Sequence, residues 1–243
     1  MTSLPPHVWH NAWTIFCDFD GTICPRDVTD TLLEHFGQPG WESLEERWLA
    51  GNISARECMA GQVALLDMSR EDLDELLATM PLDPDFGRFV ALASRYGIPL
   101  HIVSDGLDYP IYRLLELYGV SDIPVVASLL QQTGARHWQL GFPWRQPQCT
   151  ADSGVCKCAV MHQRAHNLSL LIGDGRSDFC LARHATHVFA RGALLDECRS
   201  RQLSHTPVSN FSEACARLRT LLGEPETRIP APHFNPLIPW SIK

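Results

Sequence analysis

The stretch Thr14-Ile-Phe-Cys-Asp18-Phe-Asp20-Gly21-Thr22 limits what this chain can fold into more than any other part of it. An apolar run that ends at Asp-x-Asp-Gly reads as a buried strand stopping at a tight turn. Similar runs recur at 99–104, 125–128, 168–174 and 187–190. Between them lie helical patterns at 86–96 and 109–118, each closed by a glycine, and at 156–166 and 178–185. Strands alternating with helices predict an α/β chain with a Rossmann-like, mainly parallel sheet covered on both faces. The carboxyl ends of its strands collect Asp18, Asp20, Ser104, Asp105 and Asp174, where open α/β sheets place their ligands.

The interval from Asp27 to Asp85 breaks the alternation, with helix signals and no strand signal. Val28, Leu32, Leu33 and Phe36 share one helical face, and Trp41, Leu44 and Trp48 another. Ser54 with Glu57, and Ser69 with Asp72, have capping-box spacing. These features predict a helical-bundle cap over 27–86, inserted between core segments 1–26 and 87–222. Trp41 and Trp48, seven residues apart, have the spacing of residues that pack such a bundle, with stacking on a substrate the alternative. The final segment, Gly223 to Lys243, holds five prolines and little periodicity. It is expected to be an extended tail that docks through Phe234, Leu237, Ile238 and Trp240.

Twenty basic and 28 acidic side chains leave a formal charge of −8, with no run of Lys or Arg. Nucleic acid and anionic membrane surfaces are therefore not expected partners. No apolar stretch approaches the ~20 residues needed to span a bilayer, and the segment before Trp13 lacks the basic and apolar regions of a leader. A cytoplasmic location is expected, with the nine cysteines mostly buried and reduced. Cys149, Cys156, Cys158, His162 and His166 form a metal-like cluster, three of them at successive four-residue steps. Their spacing matches no standard zinc finger, so packed thiols are the expectation and zinc the alternative. Of the basic residues only Lys157 and Lys243 are lysine, which singles out Lys157 inside the chain.

Two carboxylates two residues apart at a strand end can reach one point in front of the turn, and Gly21 lets backbone N–H groups approach an anion. One acid can attack phosphorus while the other protonates the leaving oxygen and later activates water. Charge on the transferred group needs local neutralisation. Ser104 offers a hydroxyl, Lys157 an ammonium, and Asp174 a carboxylate for a hard cation. Mg²⁺ is commonly held by one or two carboxylates with waters and substrate oxygens, so Asp18 and Asp174 suffice.

The order of these pieces, Asp18-Phe-Asp-Gly-Thr22, Ser104, Lys157 and Gly173-Asp-Gly-Arg-Ser-Asp178, resembles the haloacid dehalogenase superfamily over about residues 13–222. The resemblance implies that Asp18 is the nucleophile and Asp20 the general acid/base. It also implies that Gly21, Ser104, Asp105, Gly106 and Lys157 surround the phosphate. Asp18, the Asp20 backbone carbonyl, Asp174 and Asp178 would hold Mg²⁺. An acid at position 20 departs from the dehalogenases and the P-type pumps, leaving hydrolysis of a small phosphorylated metabolite, or less readily phosphomutase chemistry.

The segments Ser104-Asp-Gly-Leu-Asp-Tyr109, Cys156-Lys157 and Val188-Phe-Ala-Arg191 are similar to methionine-salvage phosphatases acting on 2-hydroxy-3-keto-5-methylthiopentenyl 1-phosphate. Gly173-Asp-Gly with Asp178-Phe-Cys180 also resembles phosphocholine and phosphoethanolamine phosphatases. The helical insert looks like the cap of the phosphoserine-phosphatase-like branch. Asp27 matches an acidic substrate ligand there, Gln62 stands where that branch places an arginine, and Arg56 lies nearby. Asp108 and Tyr109, close to Ser104, are further substrate candidates. A protein of another class, sensing a phosphorylated ligand without turnover, would retain the same fold.

Overall fold

The computed structural model describes residues 12–120, 122–149 and 151–223. The N-terminal segment before Ala12 and the proline-rich tail beyond Gly223 lie outside the described residues, and the docking expected of that tail lies there too. Strand β1 (Trp13–Cys17) is followed by helices α1 (Val28–Phe36), α2 (Trp41–Leu49), α3 (Ala55–Ala64), α4 (Arg70–Leu77) and α5 (Phe86–Arg95). Then come β2 (Leu100–Leu107), α6 (Asp108–Leu117), β3 (Val125–Gln132), β4 (Trp138–Gly141) and α7 (Lys157–Arg164). The chain closes with β5 (Leu168–Gly173), the short α8 (Phe179–Ala182), β6 (His187–Ala190), α9 (Gly192–Ser200), β7 (His205–Pro207) and α10 (Phe211–Leu221).

The sheet order is β4-β3-β2-β1-β5-β6-β7, parallel throughout except for the β3–β4 pair. The chain winds outward from β1 through β2 and β3, then crosses to β5 on the other side. This reversal opens a crevice at the carboxyl ends of β1, β2 and β5, where α/β sheets bind ligands. Ile15 and Cys17 of β1 face one apolar layer while Phe16 faces the other, and β5 divides Leu170 and Ile172 from Leu171 in the same way. Both faces are covered, so these strands read as unbroken apolar runs.

Three of the four helices between β1 and α5 form because caps and apolar faces coincide. Asp27 caps α1 by accepting the Asp30 N–H, and both Ser54/Glu57 and Ser69/Asp72 form reciprocal capping boxes. Each cap stabilises its helix by about 1 kcal/mol. Leu32, Leu33, Val63, Leu73 and Leu77 bury into the same apolar cluster as the sheet and α5. The cap is thus continuous with the core on this side. Helix α2 is the exception, burying none of its residues fully. Trp41 is partly buried against the cluster, as a packing residue should be, but Trp48 is 37% exposed and faces the cavity described below. Its expected packing role is therefore corrected.

The β3–β4 hairpin supports the cap from beneath. Arg136 reaches the carboxylates of Asp67 and Asp72 and the Asp67 carbonyl, and the Trp138 indole N–H donates to the Met68 carbonyl at 2.9 Å. No helix among the described residues is long and apolar enough to cross a membrane.

Candidate active site

The Asp18 N–H donates to the Ile172 carbonyl, which continues the sheet one residue past β1. The Phe19 carbonyl then accepts the N–H groups of Thr22, Ile23 and Cys24, folding the chain into a tight loop. Phe19 itself is fully buried, so the two aspartates that flank it turn the other way, into a cavity of about 370 Å³. Gly21 adopts φ +67°, and a Cβ there would lie 2.3 Å from Asp174 Oδ2. Only glycine permits both that backbone and that approach. Arg191 clamps the loop from behind, its guanidinium donating to the carbonyls of Gly21, Thr22 and Ser209.

Asp18 is 5% exposed. Its Oδ1 accepts the Phe19 N–H at 2.8 Å, and its Oδ2 lies 2.9 Å from Lys157 Nζ. Lys157 opens α7 and is 3% exposed, yet it lies 2.8 Å from Asp178 Oδ1 and 3.0 Å from Ser177 Oγ. Burial pulls the ammonium pKa down, but the charges of Asp178, Asp18 and Asp105 prevail and hold it above the usual lysine value. A permanent cation therefore sits among carboxylates, where it can meet a phosphoryl oxygen.

Asp20 is placed differently. Its Oδ1 accepts the Val28 N–H at 2.9 Å, and its Oδ2 lies 3.5 Å from the Ser104 hydroxyl. Burial, then the charge of Asp27, pushes its carboxyl well above the usual range. Of the two acids, Asp18 thus pairs with a cation while Asp20 tends to keep its proton, the division that nucleophile and general acid require. Gly106 donates its N–H to Ser104 Oγ at 2.9 Å, and a Cβ on Gly106 would meet Asp20 Oδ2 at 2.4 Å. Asp105 accepts the Val155 N–H, and burial raises its pKa to about 6.

The donor set fits a hard divalent cation. Carboxylate oxygens of Asp18, Asp174 and Asp178 lie within 4.8 Å of one another, and buried Asp178 Oδ2 has no hydrogen-bond partner. An orphaned oxygen in a dry pit rich in carboxylates is what a bound cation would satisfy. Asp178 does not cap the following helix with its side chain. Asp174 Oδ1 also accepts the Thr22 hydroxyl at 2.8 Å, joining the metal-type cluster to the first loop.

Asp27 and Gln62 line the cavity. Three other substrate candidates do not. Arg56 is taken by Asp152, 3.1 Å away, with its guanidinium also over the Phe142 ring. Asp108 turns to β3, where its Oδ1 accepts the N–H groups of Tyr109 and Leu130. The Tyr109 hydroxyl donates to Asp74 at 2.6 Å, and its ring lies under Arg70. These two face a separate surface because β2 runs on to Leu107, past the expected end at Ser104, and carries the turn away from the crevice. Arg176 is exposed and off the wall.

Trp48, Met59, Asp30 and Glu45 line the outer wall, and of these Met59 and Glu45 were not expected as site residues. Thr22 and Arg191 belong to quoted motifs, but their contacts carry no local sequence signal. The proposed five-residue metal cluster is broken up. Helix α7 ends at Arg164, so His166 leaves its face and accepts or donates at Thr14 Oγ1. Cys149 lies beside Ser153, and Cys158 pairs with Cys180 as a disulfide, correcting the expectation of reduced thiols at this pair.

A family model for haloacid dehalogenase-like hydrolases matches residues 15–183, and the chain belongs to that family. Within it the chain stands with the phosphatases. It is 32% identical over 212 residues to a 2-hydroxy-3-keto-5-methylthiopentenyl-1-phosphate phosphatase of Geobacillus thermodenitrificans, covering 85% of this chain and 96% of the relative. A protein of the same name from Brevibacillus brevis is 30% identical, covering 86% and 96%. Among solved structures, a phospho-aspartyl intermediate analogue of phosphoserine phosphatase superposes with a TM-score of 0.65 at 15% identity, covering 84% of this chain and 97% of that one. That likeness concerns the fold.

Proposed function

We propose that the chain hydrolyses a small phosphomonoester through an aspartyl-phosphate on Asp18. The observation that carries this reading is the pairing of Asp18 with Lys157 on one side of buried Phe19 while Asp20 is held toward its protonated form on the other. An oxygen of Asp18 attacks phosphorus, the bond to the ester oxygen breaks, and Asp20 delivers its proton to that oxygen. Asp20, now a carboxylate, removes a proton from water as the water attacks phosphorus. Asp18 and inorganic phosphate are released. Lys157, the Ser104 hydroxyl and the Gly106 region orient the phosphoryl group. Asp18, the Asp20 carbonyl, Asp174 and Asp178 would hold Mg²⁺, which when bound neutralises charge on the phosphoryl oxygens.

For the substrate we propose 2-hydroxy-3-keto-5-methylthiopentenyl 1-phosphate. The relatives at about 30% identity carry that name, and Trp48, Met59 and Cys58 offer a soft apolar wall for a methylthio end. A second reading has its own support. Asp30 and Glu45 line the outer wall together with Trp48, a combination of acid and aromatic face that suits phosphocholine or phosphoethanolamine. Phosphoserine is disfavoured, because no Arg or Lys among the described residues lines the cavity to meet its carboxylate.

Phosphate release with Mg²⁺ across these four compounds tests the proposal. The enol-phosphate is expected to lead with kcat/KM above ~10⁴ M⁻¹s⁻¹. Preference for phosphocholine would replace the first substrate reading with the second, and absence of turnover on every phosphomonoester would sink the reaction itself.

A further inference from the structure

On the side of α7 away from the crevice, two helices bring together a second set of ligand-type side chains. Cys158 and His162 lie one turn apart on α7, and Cys180 and His184 repeat the same four-residue offset on α8 and the turn that follows it. The Leu181 carbonyl accepts the N–H groups of His184 and Ala185, which continues the helical turn and keeps His184 above Cys180. The ligand atoms of Cys158, Cys180 and His184 lie within 4.8 Å of one another. The His162 ring packs edge-on against that of His184, their centroids 5.3 Å apart, which stands a fourth donor next to these three. Cys180 and His184 are exposed, so the cluster opens to solvent.

We propose that Cys158, His162, Cys180 and His184 form a four-coordinate site for a thiophilic divalent cation of the zinc class. Two thiolates and two imidazoles are a complete donor set for such an ion, and helical Cys-x3-His pairs present both donors on one face. Arms of about 2.3 Å to sulfur and about 2.0 Å to nitrogen give ligand–ligand edges of ~3.3–3.8 Å, inside the 4.8 Å within which the donor atoms of Cys158, Cys180 and His184 lie. A disulfide alone explains the two sulfurs but leaves two convergent histidines without a role. The described structure joins Cys158 to Cys180 as that disulfide, with Cα atoms 6.3 Å apart. A dithiol reductant supplies two electrons and two protons to open it, leaving two thiols, and the cation then displaces both thiol protons on binding.

The site has a structural consequence distinct from the Mg²⁺-type cluster. Cys158 follows Lys157 directly, and Cys180 stands two residues after Asp178. A cation held between them would tie α7 to α8 across the buried Lys157–Asp178 contact of 2.8 Å.

The test uses the full chain, reduced with a dithiol, freed of metal with a chelator, and titrated anaerobically with Co²⁺. One equivalent is expected to give the visible bands of tetrahedral cobalt and a near-ultraviolet thiolate charge-transfer band, both displaced by Zn²⁺, with a rise in Tm. Asp174→Asn, which weakens the carboxylate cluster, is expected to leave these bands intact. Cys180→Ser is expected to halve the charge-transfer band and His184→Ala to weaken binding at least tenfold, each with unchanged circular dichroism before metal is added. His184→Ala also guards against loss of the fold through the cysteine change. Overturning results are a reduced protein that gives no charge-transfer band, bands that survive in Cys180→Ser at full strength, or a Cys158–Cys180 disulfide that mass spectrometry still finds after dithiol treatment.

Discussion

The floor of the cavity and its outer wall are built on opposite terms. On the floor, Asp18, Ser104, Lys157 and Asp178 are each no more than 5% exposed, and two glycines there leave no room for a Cβ. Of their fully buried side-chain nitrogen and oxygen atoms only Asp178 Oδ2 lacks a hydrogen-bond partner. On the wall, Trp48, Asp30, Glu45 and Met59 project from α1, α2 and α3, and α2 buries no residue fully. The floor is held in place by packed neighbours, whereas the wall is free to change composition without disturbing the core. On the proposed function, reaction type belongs to the floor and substrate choice to the wall.

The strongest way to break that division is to disable the floor. Asp18→Asn is expected to lower kcat by about 10⁴-fold or more for every substrate, since no other acid is placed to attack phosphorus. Asp20→Asn is expected to cost ~10²–10⁴-fold and to let phosphoenzyme accumulate, read by acid quench with labelled substrate. Because Asp20 is raised, its acid form persists above the ordinary carboxylate pKa, and kcat is expected to fall as pH climbs through the raised value. Full activity in either variant would sink the assignment.

Packing offers a second break. Gly106→Ala puts a methyl carbon 2.4 Å from Asp20 Oδ2, and Gly21→Ala adds positive-φ strain to a clash with Asp174. A displacement of about 1 Å at the reacting groups is expected to cost ~10²-fold in kcat with the fold retained, checked by kinetics beside a thermal melt. Near-normal kcat in both would mean the floor is softer than its contacts imply.

How much of each region was legible follows from the same contrast. Floor residues stand at strand ends and a helix start, so the unbroken apolar runs and the Asp-x-Asp-Gly and Gly-Asp-Gly turns locate them without knowledge of tertiary contacts. The wall depends on the rotation of each cap helix, and α2 has few buried residues from which to infer it. Trp48 accordingly reads as packing while facing the cavity. Arg56 was unreadable for another reason: the carboxylate that claims it is Asp152, which lies 96 positions away. Strands β4 and β7 are too short for a pattern, four and three residues. Helix α10 did carry a readable start, since Asn210 caps it by accepting the Glu213 N–H.

The wall can be sharpened with a smaller effect. Trp48→Ala is expected to raise KM about tenfold, equivalent to ~1.4 kcal/mol, with kcat kept. Asp30→Asn distinguishes the two substrate readings, weakening a cationic substrate while sparing the enol-phosphate. A matching fall in kcat for Trp48→Ala would show that the wall acts in the transition state and that the division between wall and floor is too simple.

The smallest effect tests how the wall is anchored to the core. Asp152 accepts Arg56 from α3 and also Arg145, and the Arg56 hydrogen bond leads the causes that lower its pKa from 3.8 to about 2. A carboxyl whose folded pKa lies below its unfolded value binds fewer protons when folded. Its contribution to stability is then complete above pH 3.8 and is lost as pH falls toward about 2. The pair is partly exposed, so the contribution is modest and weakens with salt. Urea midpoints of wild type and Asp152→Asn should therefore differ most at neutral pH and low salt and converge as pH falls through that window. Parallel curves would mean that Asp152 does not titrate against Arg56, and that the apolar cluster shared by cap and core holds the wall in place without this link.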